Sequence, residues 1–391
     1  MLLASRWRVS PALLALGLGL TLGRPGLALI QPQLSEDGGQ VESVCQIALL
    51  TSLFCMSLRL QAPFEWRRWR APLRLSSLGL LSGWALAAAA AKALFDVSLL
   101  QALLIASVLA PTDAVLAADA AGGVSETSES ESHAANVLAA EGAFSSGLAV
   151  PVLGAVLGLM GLESKDSSSV GWLGVLALWS AAGGVAAGAA IGVGMSRWIA
   201  LLDFDRQTDF FEILVVFTTG ALAYGAAEAI HTSGFLAVIG AGLALSHGGR
   251  WRSKRRKRAL APRVLKIAAR VERAAVLGVV VLVGAMGPEM DFHFRVLAYA
   301  AILLALIRPV AVRLGLGSLG LPAAYRKQLE WVGVRGAAAL YCLAFAVNHG
   351  LGARFGHELA GITLLVVAGS ILAHGLTASP LHTASPGALS S

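Results

Sequence analysis

Charged residues are scarce in this sequence. Lys, Arg, Asp and Glu together make up 14% of the 391 residues, whereas hydrophobic residues make up 56%. A soluble domain of ordinary composition carries about a quarter charged residues, so this chain has too little polar material to cover a surface that faces water. The scarcity excludes a soluble globule and indicates a protein whose surface faces lipid.

Cysteine is scarce as well. Cys45, Cys55 and Cys342 all lie inside apolar runs, in an odd number and without the spacing of metal ligands. A paired disulfide framework and a cysteine-based metal site are therefore excluded. We interpret the three thiols as small buried hydrophobic groups.

Enzyme motifs are also missing. The sequence has no glycine-rich loop that would cradle a phosphate, no cluster of metal ligands and no nucleophile with a base at motif spacing. No polar stretch is long enough for a separate soluble domain. We therefore predict a protein that is not an enzyme, has no cofactor and forms a single transmembrane domain over residues 1–391.

Long apolar runs recur along the chain, joined by short polar segments. A helix needs about 20 mainly apolar residues to cross a bilayer, so the runs predict an all-α polytopic membrane protein with about 12 transmembrane helices. A signal peptide is the alternative for the first run, but the run is longer than the usual hydrophobic region and no small-residue cleavage site closes it convincingly. The predicted spans cover residues 11–30, 41–60, 75–92, 97–120, 134–160, 170–196, 210–229, 232–247, 272–288, 296–315, 330–348 and 357–378.

Basic residues collect on one side of this arrangement. If the N-terminus is cytoplasmic, most of the 30 Lys and Arg residues fall in inner segments, and the outer segments hold only Lys92, Lys165, Arg295 and Arg354. Because cytoplasmic loops carry the excess of Lys and Arg, we expect a multi-pass protein of the cell membrane with both termini cytoplasmic. The run WRSKRRKR then indicates a basic cytoplasmic loop at about residues 248–271 that lies against the anionic lipid bilayer and not against nucleic acid.

Five ionisable residues fall in the middle of predicted spans. A charged group in lipid is costly, so such a residue is expected to face a cavity or a partner and to mark a transport path. An unpaired Arg308 would be expensive, and Glu141 or Asp113 can pair with it; a purely structural salt bridge is an equal alternative. The five residues are Asp113, Asp119, Glu141, Arg308 and Arg335.

Two of these residues accompany a predicted helix break. Pro111 lies two residues before Asp113, removes a backbone donor and disfavours helix at the preceding residue, so span four should break in mid-membrane. Arg335 lies between Gly333 and Gly336, where span eleven can loosen. Interruptions at equivalent positions of two inverted repeats are typical of a transporter's binding site, whereas ordinary tolerance of Pro and Gly in membrane helices is the alternative.

Two further patterns concern single helix faces. Ser145 lies one turn after Glu141 in span five, so both can face one cavity, where a hydroxyl can coordinate a cation or bond to the backbone.

Gly184, Gly188 and Gly192 recur every four residues in span six. We interpret this stripe as a close helix–helix contact without a chemical role.

Four segments of the chain match the pattern of one transporter family. They are LAPTDAVLA, SGFLAVIGAGLAL, WVGVRGAAALYCLA and SILAHGLTASPL, in this order. With Glu141 and the pair Arg308-Pro309 they resemble the monovalent cation/proton antiporters, most closely the NhaP-type sodium/proton exchangers, over nearly the whole chain. The resemblance implies an inverted-repeat antiporter fold with broken helices four and eleven. In that fold spans three to five and ten to twelve form a core that moves against an interface domain, usually in a homodimer.

The resemblance also implies a set of site residues. Thr112 and Asp113 match the pair at the family's broken helix, and Arg308 matches the arginine that pairs with the span-five glutamate, here Glu141. Arg335 matches the family's second arginine. The expected ion- and proton-binding residues are Thr112, Asp113, Glu141, Ser145 and Ser146, with Arg308 and Arg335 as structural charge partners.

The chain departs from the family pattern in span five. The pattern E-S-x-x-N-D places its asparagine at Ser145, its ion-binding aspartate at Ser146 and its first serine at Gly142, and Ala114 replaces a usual proline. A serine hydroxyl does not titrate near neutral pH, so Ser146 cannot alternate between a proton and a cation. We hypothesise that Asp113 takes this role, because a broken helix offers free backbone carbonyls beside it for a dehydrated cation.

The sequence thus predicts a secondary active antiporter that exchanges a monovalent cation, sodium or potassium, for protons, with the transported cation as its only metal. The missing aspartate favours an alternative, a transport-incompetent homologue that acts as a membrane sensor or assembly partner. A carrier of anions or organic solutes is a third alternative. This third alternative is considered because the loss of a carboxylate beside Arg308 and Arg335 makes the site less negative.

Overall fold

The described part of the chain consists of helices joined by short connections. Within it we find twelve helical spans and no strand. The computed structural model describes residues 10–60, 66–120, 129–162, 170–201, 209–247, 262–319, 321 and 323–377.

Eight of the twelve spans are single helices, which we number by span. They are α1 (Pro11–Leu22), α2 (Leu34–Arg59), α5 (Glu129–Leu159), α6 (Val170–Leu201), α7 (Asp209–Ala229), α8 (Gly234–His247), α9 (Pro262–Ala285) and α12 (Ala353–Thr377).

The other four spans are each built from two helices. Spans three and ten contain a π-turn: α3a (Trp66–Arg74) joins α3b (Leu80–Leu94) through Leu75–Gly79, and α10a (Phe294–Ile302) joins α10b (Arg308–Leu316) through Leu303–Ile307. Spans four and eleven are interrupted: α4a (Leu99–Leu109) is followed by α4b (Ala114–Ala120), and α11a (Ala323–Trp331) by α11b (Ala337–Asn348).

The predicted all-α membrane architecture is confirmed. Each predicted apolar run overlaps one of the twelve spans of the described residues, and spans four and eleven break where Pro111 and the glycines around Arg335 predict. Six segments are long and apolar enough to cross a bilayer by length and composition alone, and the shorter apolar helices include α8 and α11b. Those two helices are buried along nearly their whole length, so short spans lie inside the bundle.

Large apolar side chains cover the outside of the bundle. Leu81 in span three and Leu178 and Trp179 in α6 are more than half exposed, in helices of which only about a fifth of the apolar window is buried. Such faces do not suit water, because exposed apolar patches of this extent mark a surface that contacts lipid or protein. They are consistent with spans three and six facing the bilayer.

Some helix ends differ from the predicted span ends. α1 ends at Leu22, before Gly23 and Pro25. α9 begins at Pro262, ten residues before the predicted start of span nine, because a proline is well tolerated in the first turn and the basic residues that follow it lie on an amphipathic helix. The predicted basic loop at 248–271 is therefore helical from residue 262 onward, and its part at 248–261 lies outside the described residues.

The glycine stripe of span six forms the predicted helix contact. Gly184, Gly188 and Gly192 face the start and the body of α8, and a Cβ added to Gly188 would lie 2.6 Å from the Ala237 Cα. Only a residue without a side chain allows the two backbones to approach this closely. The interpretation of the stripe as helix packing is confirmed.

Candidate functional site

The two broken helices cross at their interruptions. The Asp113 N–H donates to the Val334 carbonyl at 2.8 Å, which joins the segment between α4a and α4b to the segment between α11a and α11b. Each broken helix has a new C-terminal end, whose carbonyls lack helical partners, and a new N-terminal end, whose N–H groups lack them. All of these groups lie at the crossing, and inside a membrane each needs a partner.

Asp113 serves both helix ends that present N–H groups. Its Oδ1 accepts from the N–H groups of Val115 and Leu116 at 3.0 and 3.1 Å, in the first turn of α4b. Its Oδ2 accepts from the N–H of Ala337, the first residue of α11b, at 3.2 Å. A carboxylate suits this position, because both helix N-termini carry partial positive charge.

Two arginines serve the carbonyl ends. Arg335 Nη1 donates to the carbonyl of Ala110 and, at 3.0 Å, to that of Pro111, just after α4a. Arg308 Nη2 donates to the carbonyl of Val332, just after α11a, at 3.0 Å. Positive groups are favourable here, because helix C-termini carry partial negative charge.

Arg308 also forms a bidentate ion pair with Glu141. Its Nη1 and Nη2 lie 2.7 and 3.0 Å from the two carboxylate oxygens of Glu141. Of the two partners that the sequence allows for this arginine, the structure places Glu141 against it, and Asp113 lies on the helix ends instead. The side chains of Arg308 and Glu141 are at most 7% exposed, so the pair is held away from water.

Hydroxyl groups complete the crossing. Thr112 Oγ1 donates to Glu141 Oε1 at 3.1 Å and lies 3.3 Å from Ser145 Oγ, which also accepts from the Thr112 N–H at 3.4 Å. Ser146 Oγ donates to the Thr112 carbonyl at 3.2 Å. The structure therefore brings all seven residues of the expected site together, each at most 7% exposed, and lines the crossing with oxygen atoms.

The formal charges of the crossing balance. Asp113 and Glu141 contribute two negative charges, and Arg308 and Arg335 contribute two positive charges. Each of these charges already has a partner, either a helix end or an opposite charge. A fifth candidate from the sequence, Asp119, has a side chain outside the described residues.

Two glycines keep the crossing close-packed. A Cβ added to Gly336 would lie 2.9 Å from the Asp113 Cβ and 2.7 Å from Leu116 Cδ1, so a side chain there would displace the carboxylate from α11b. A Cβ added to Gly142 would lie 2.8 Å from the Ala114 Cβ. The departures from the family pattern at positions 142 and 114 are thus in direct contact with each other.

Sequence reasoning missed polar residues in α12. Ser370 Oγ accepts from the Arg335 N–H at 3.1 Å, in the same way that Ser145 accepts from Thr112. His374 lies one turn further along, with Nε2 2.8 Å from the Trp331 carbonyl at the end of α11a. The signal was present in the sequence as two polar residues four apart in an otherwise apolar span.

A buried acid in α9 was also missed. Glu272 is 1% exposed and forms an ion pair with Arg59 at the end of α2, and it accepts a long hydrogen bond of 3.4 Å from Ser52 Oγ. The predicted span nine began at Glu272, which made this residue look like a helix end at the membrane surface. Since α9 begins at Pro262, Glu272 lies almost three turns into the helix.

Comparisons with known proteins agree with this geometry. The family described as "Sodium/hydrogen exchanger, transmembrane" has a model that matches residues 1–384. Two relatives come from Schizosaccharomyces pombe: a "Probable Na(+)/H(+) antiporter", 25% identical over 259 residues, and a "Na(+)/H(+) antiporter", 27% identical over 187 residues. The matches cover 64% and 47% of this chain but only 32% and 40% of the relatives, so the chain spans less than half of their length.

Solved structures share the fold. The sodium proton antiporter MjNhaP1 from Methanocaldococcus jannaschii at pH 8 superposes with a TM-score of 0.78 at 18% identity, over 98% of this chain and 94% of that one. A second structure of MjNhaP1, an electron-microscopy map, gives a TM-score of 0.77 at the same identity, over 100% and 94% of the two chains. The expected antiporter fold with broken helices four and eleven is therefore confirmed.

Proposed function

Because this chain belongs to the sodium/hydrogen exchanger family, we propose that it is a secondary active antiporter that exchanges a monovalent cation for protons. The observation that carries the proposal is the buried crossing of two broken helices, lined by the hydroxyls of Thr112, Ser145 and Ser146 and by the Asp113 carboxylate. Oxygen donors of this kind suit a hard cation that has lost its water.

Each residue of the crossing has a part in the proposed exchange. Asp113 is the carboxylate that carries either a proton or the counter-charge of the cation. The hydroxyls of Thr112 and Ser145 supply neutral oxygens. The ion pair of Glu141 with Arg308 holds span five against span ten, and Arg308 also donates to the carbonyl end of α11a. A proton on Asp113 would weaken its three backbone hydrogen bonds to α4b and α11b, so occupancy of the site would change how firmly the half-helices are held together.

We further propose sodium or potassium as the cation, a homodimeric assembly and a location in the cell membrane with both termini in the cytoplasm. Sodium is supported by the names of the relatives and of the solved structures, which are sodium/proton antiporters. The orientation is supported by the excess of Lys and Arg in the segments on one side.

The proposal is tested by cation-induced proton movement in proteoliposomes that contain a pH-sensitive dye. Sodium, potassium and lithium are each added to wild-type protein, to Asp113→Asn and to Asp291→Asn, a control in which a capping aspartate outside the crossing is changed. We expect movement with at least one cation in wild type and in Asp291→Asn, and none in Asp113→Asn. Full activity of Asp113→Asn would contradict the role of that carboxylate.

A second candidate function is supported by Ser146. At the position of the family's ion-binding aspartate, this hydroxyl donates to the Thr112 carbonyl and so ties up an oxygen that a cation would use. The chain would then be a transport-incompetent homologue that acts as a membrane sensor or assembly partner. Silence of correctly folded wild-type protein with every cation would favour this candidate.

Restoring the family pattern separates the two candidates. In the double variant Ser145→Asn, Ser146→Asp, a carboxylate would face the Thr112 carbonyl, and the two oxygens would repel each other unless a cation lies between them. If the scaffold is a working antiporter, we expect sodium-dependent proton movement to increase. No gain in a variant that folds as well as wild type would indicate a protein that does not exchange ions.

A further inference from the structure

The formal charges of the crossing sum to zero, so a cation that enters beside Asp113 meets no net negative charge there. Asp113 and Glu141 are offset by Arg308 and Arg335, and each of these groups is engaged with a partner. A cation transferred from water into such a buried, neutral site would lose its hydration and gain no opposite net charge. An additional carboxylate near the crossing would remove this difficulty.

Glu272 is a carboxylate in a suitable place. It projects from α9, which packs against α4b, the half-helix that Asp113 caps. α9 also packs against α11b, the other half-helix that Asp113 caps. α2, which carries Arg59, packs against α9 and against α11b, so the ion pair of Glu272 and Arg59 lies on helices that contact the half-helices of the crossing.

The ion pair that holds Glu272 is asymmetric. The Glu272 side chain is 1% exposed, whereas the Arg59 side chain is 41% exposed and belongs to the last residue of α2. A guanidinium at an exposed helix end can move into water at small cost, because its charge is then solvated. The carboxylate cannot follow it, and without a partner it would be a buried, uncompensated charge.

We propose that Glu272, on the helix that packs against both half-helices capped by Asp113, is a second cation-binding carboxylate, and that Arg59 is its resident counter-ion, which an entering monovalent cation displaces. Ser52 Oγ, 3.4 Å from Glu272 Oε1, supplies a neutral oxygen beside the carboxylate. The single negative charge favours a monovalent cation over a divalent one. This inference rests on the proposed exchange function, for which it names a second cation-binding residue.

The inference predicts effects of opposite sign for the two partners. Removal of the Glu272 charge takes away the cation's ligand, so cation affinity falls. Removal of the Arg59 charge takes away the cation's competitor, so cation affinity rises. A purely structural ion pair predicts instead that both changes lower stability and that neither changes the cation concentration required.

The first measurement is the cation-dependent rise of the unfolding temperature of the purified protein in detergent. Sodium, potassium and lithium are titrated at constant ionic strength against choline chloride. We expect Glu272→Gln to raise the half-maximal cation concentration about tenfold or more, and Arg59→Gln to lower it several-fold. The control Glu330→Gln removes another ion-paired acid, the α11a partner of Arg313 in α10b, and should leave this concentration unchanged.

The second measurement is the cation dependence of exchange in proteoliposomes. If exchange in Glu272→Gln has the wild-type cation dependence, the inference is overturned while the proposed function stands. If wild type shows no exchange but its cation-dependent stabilisation is lost in Glu272→Gln, the inference stands while the proposed function fails. Cation-dependent stabilisation that is absent from wild type, or equal in all variants, overturns the inference.

Discussion

The charged residues at the crossing satisfy the ends of broken helices. Asp113 accepts from two helix N-termini, and Arg335 and Arg308 donate to carbonyls at two helix C-termini. Unsatisfied backbone groups inside a membrane cost several kcal/mol each, so these side chains are needed for folding whether or not an ion binds. Burial of an acid at this crossing is therefore weaker evidence for transport than the presence of a free oxygen ligand.

The pair of Arg308 and Glu141 provides a test of this structural role. Arg308→Met leaves Glu141 as a buried carboxylate with a single hydroxyl donor, and we expect a loss of stability of about 3–5 kcal/mol. The double variant Arg308→Met, Glu141→Gln removes both charges, so most of the loss should be recovered. The measurement is thermal unfolding in detergent. We expect ion exchange to be absent from both variants.

The matched control is Arg354→Met. Arg354 forms an ion pair with Glu358 one turn away, but its side chain is 94% exposed, so its removal should leave the unfolding temperature unchanged. A single variant at Arg308 that unfolds at the wild-type temperature would show that Glu141 finds another partner. A double variant that is no more stable than Arg308→Met would point to the lost contact with Val332 as the larger cause.

Most of the candidate site could be predicted from the sequence, because its residues differ in polarity from their neighbours in the chain. Charges in the middle of an apolar run, such as Glu141 and Arg308, stand out against their neighbours. Glu272 did not stand out, because it follows basic residues at 263–270 that made the start of α9 look like a loop. Partners that are distant in the chain, such as Arg59 for Glu272, are fixed only by packing.

Helices were predicted well where they are apolar on all sides and less well at amphipathic or irregular parts. The break of span four follows from Pro111 and that of span eleven from its glycines. The π-turns at Leu75–Gly79 and Leu303–Ile307 were not predicted. The second ends two residues before Pro309, whose missing N–H and bulky ring disturb the preceding turn. This proline could have indicated the π-turn.

The contact between α6 and α8 gives a prediction about a single helix pair. In Gly188→Val the new side chain would meet backbone atoms of Ala237 in α8. Backbone atoms cannot move aside by a change of rotamer, so the two helices must separate. We expect a loss of at least about 3 kcal/mol, the upper part of the range for overpacking. The measurement is the unfolding temperature in detergent together with the fraction of protein that remains monodisperse.

Gly194 provides the control in the same helix. A Cβ added there has no neighbour within 4 Å in the described part of the chain, so Gly194→Val should fold like wild type. Wild-type stability of both variants would show that α6 is not held against α8 by its glycine face. Equal instability would instead indicate that α6 tolerates no β-branched residue.

Across the whole molecule, the two halves of the chain repeat one design. Spans four and eleven break, spans three and ten each contain a π-turn, and the π-turn of span three packs against α10b. The backbone N–H of Thr112 donates to Ser145 in α5, and that of Arg335 donates to Ser370 in α12. This repetition is expected for inverted repeats that are related by a pseudo-two-fold axis.

The same architecture makes a relative movement of core and interface helices the proposed transport step. At the end of the bundle opposite Arg59, Asn348 Nδ2 of α11b donates to Glu42 Oε2 of α2 at 2.6 Å. In the proposed division of the fold, this contact joins a core helix to an interface helix, and a rocking core would break it each time that end opens. A covalent link at this point should therefore stop the exchange cycle without disturbing the crossing.

A crosslinking experiment tests this movement. In Glu42→Cys, Asn348→Cys, treatment with a short bifunctional methanethiosulfonate reagent should reduce exchange in proteoliposomes to the background, and a reducing agent should restore it. The control Arg354→Cys, Glu358→Cys links two positions one turn apart in α12 and should remain active after the same treatment. Wild type should be unaffected, because Cys45, Cys55 and Cys342 are buried. Undiminished exchange in the fully crosslinked first pair would mean that the core does not move against α2 at this end, and that access to the crossing changes by a smaller, local opening.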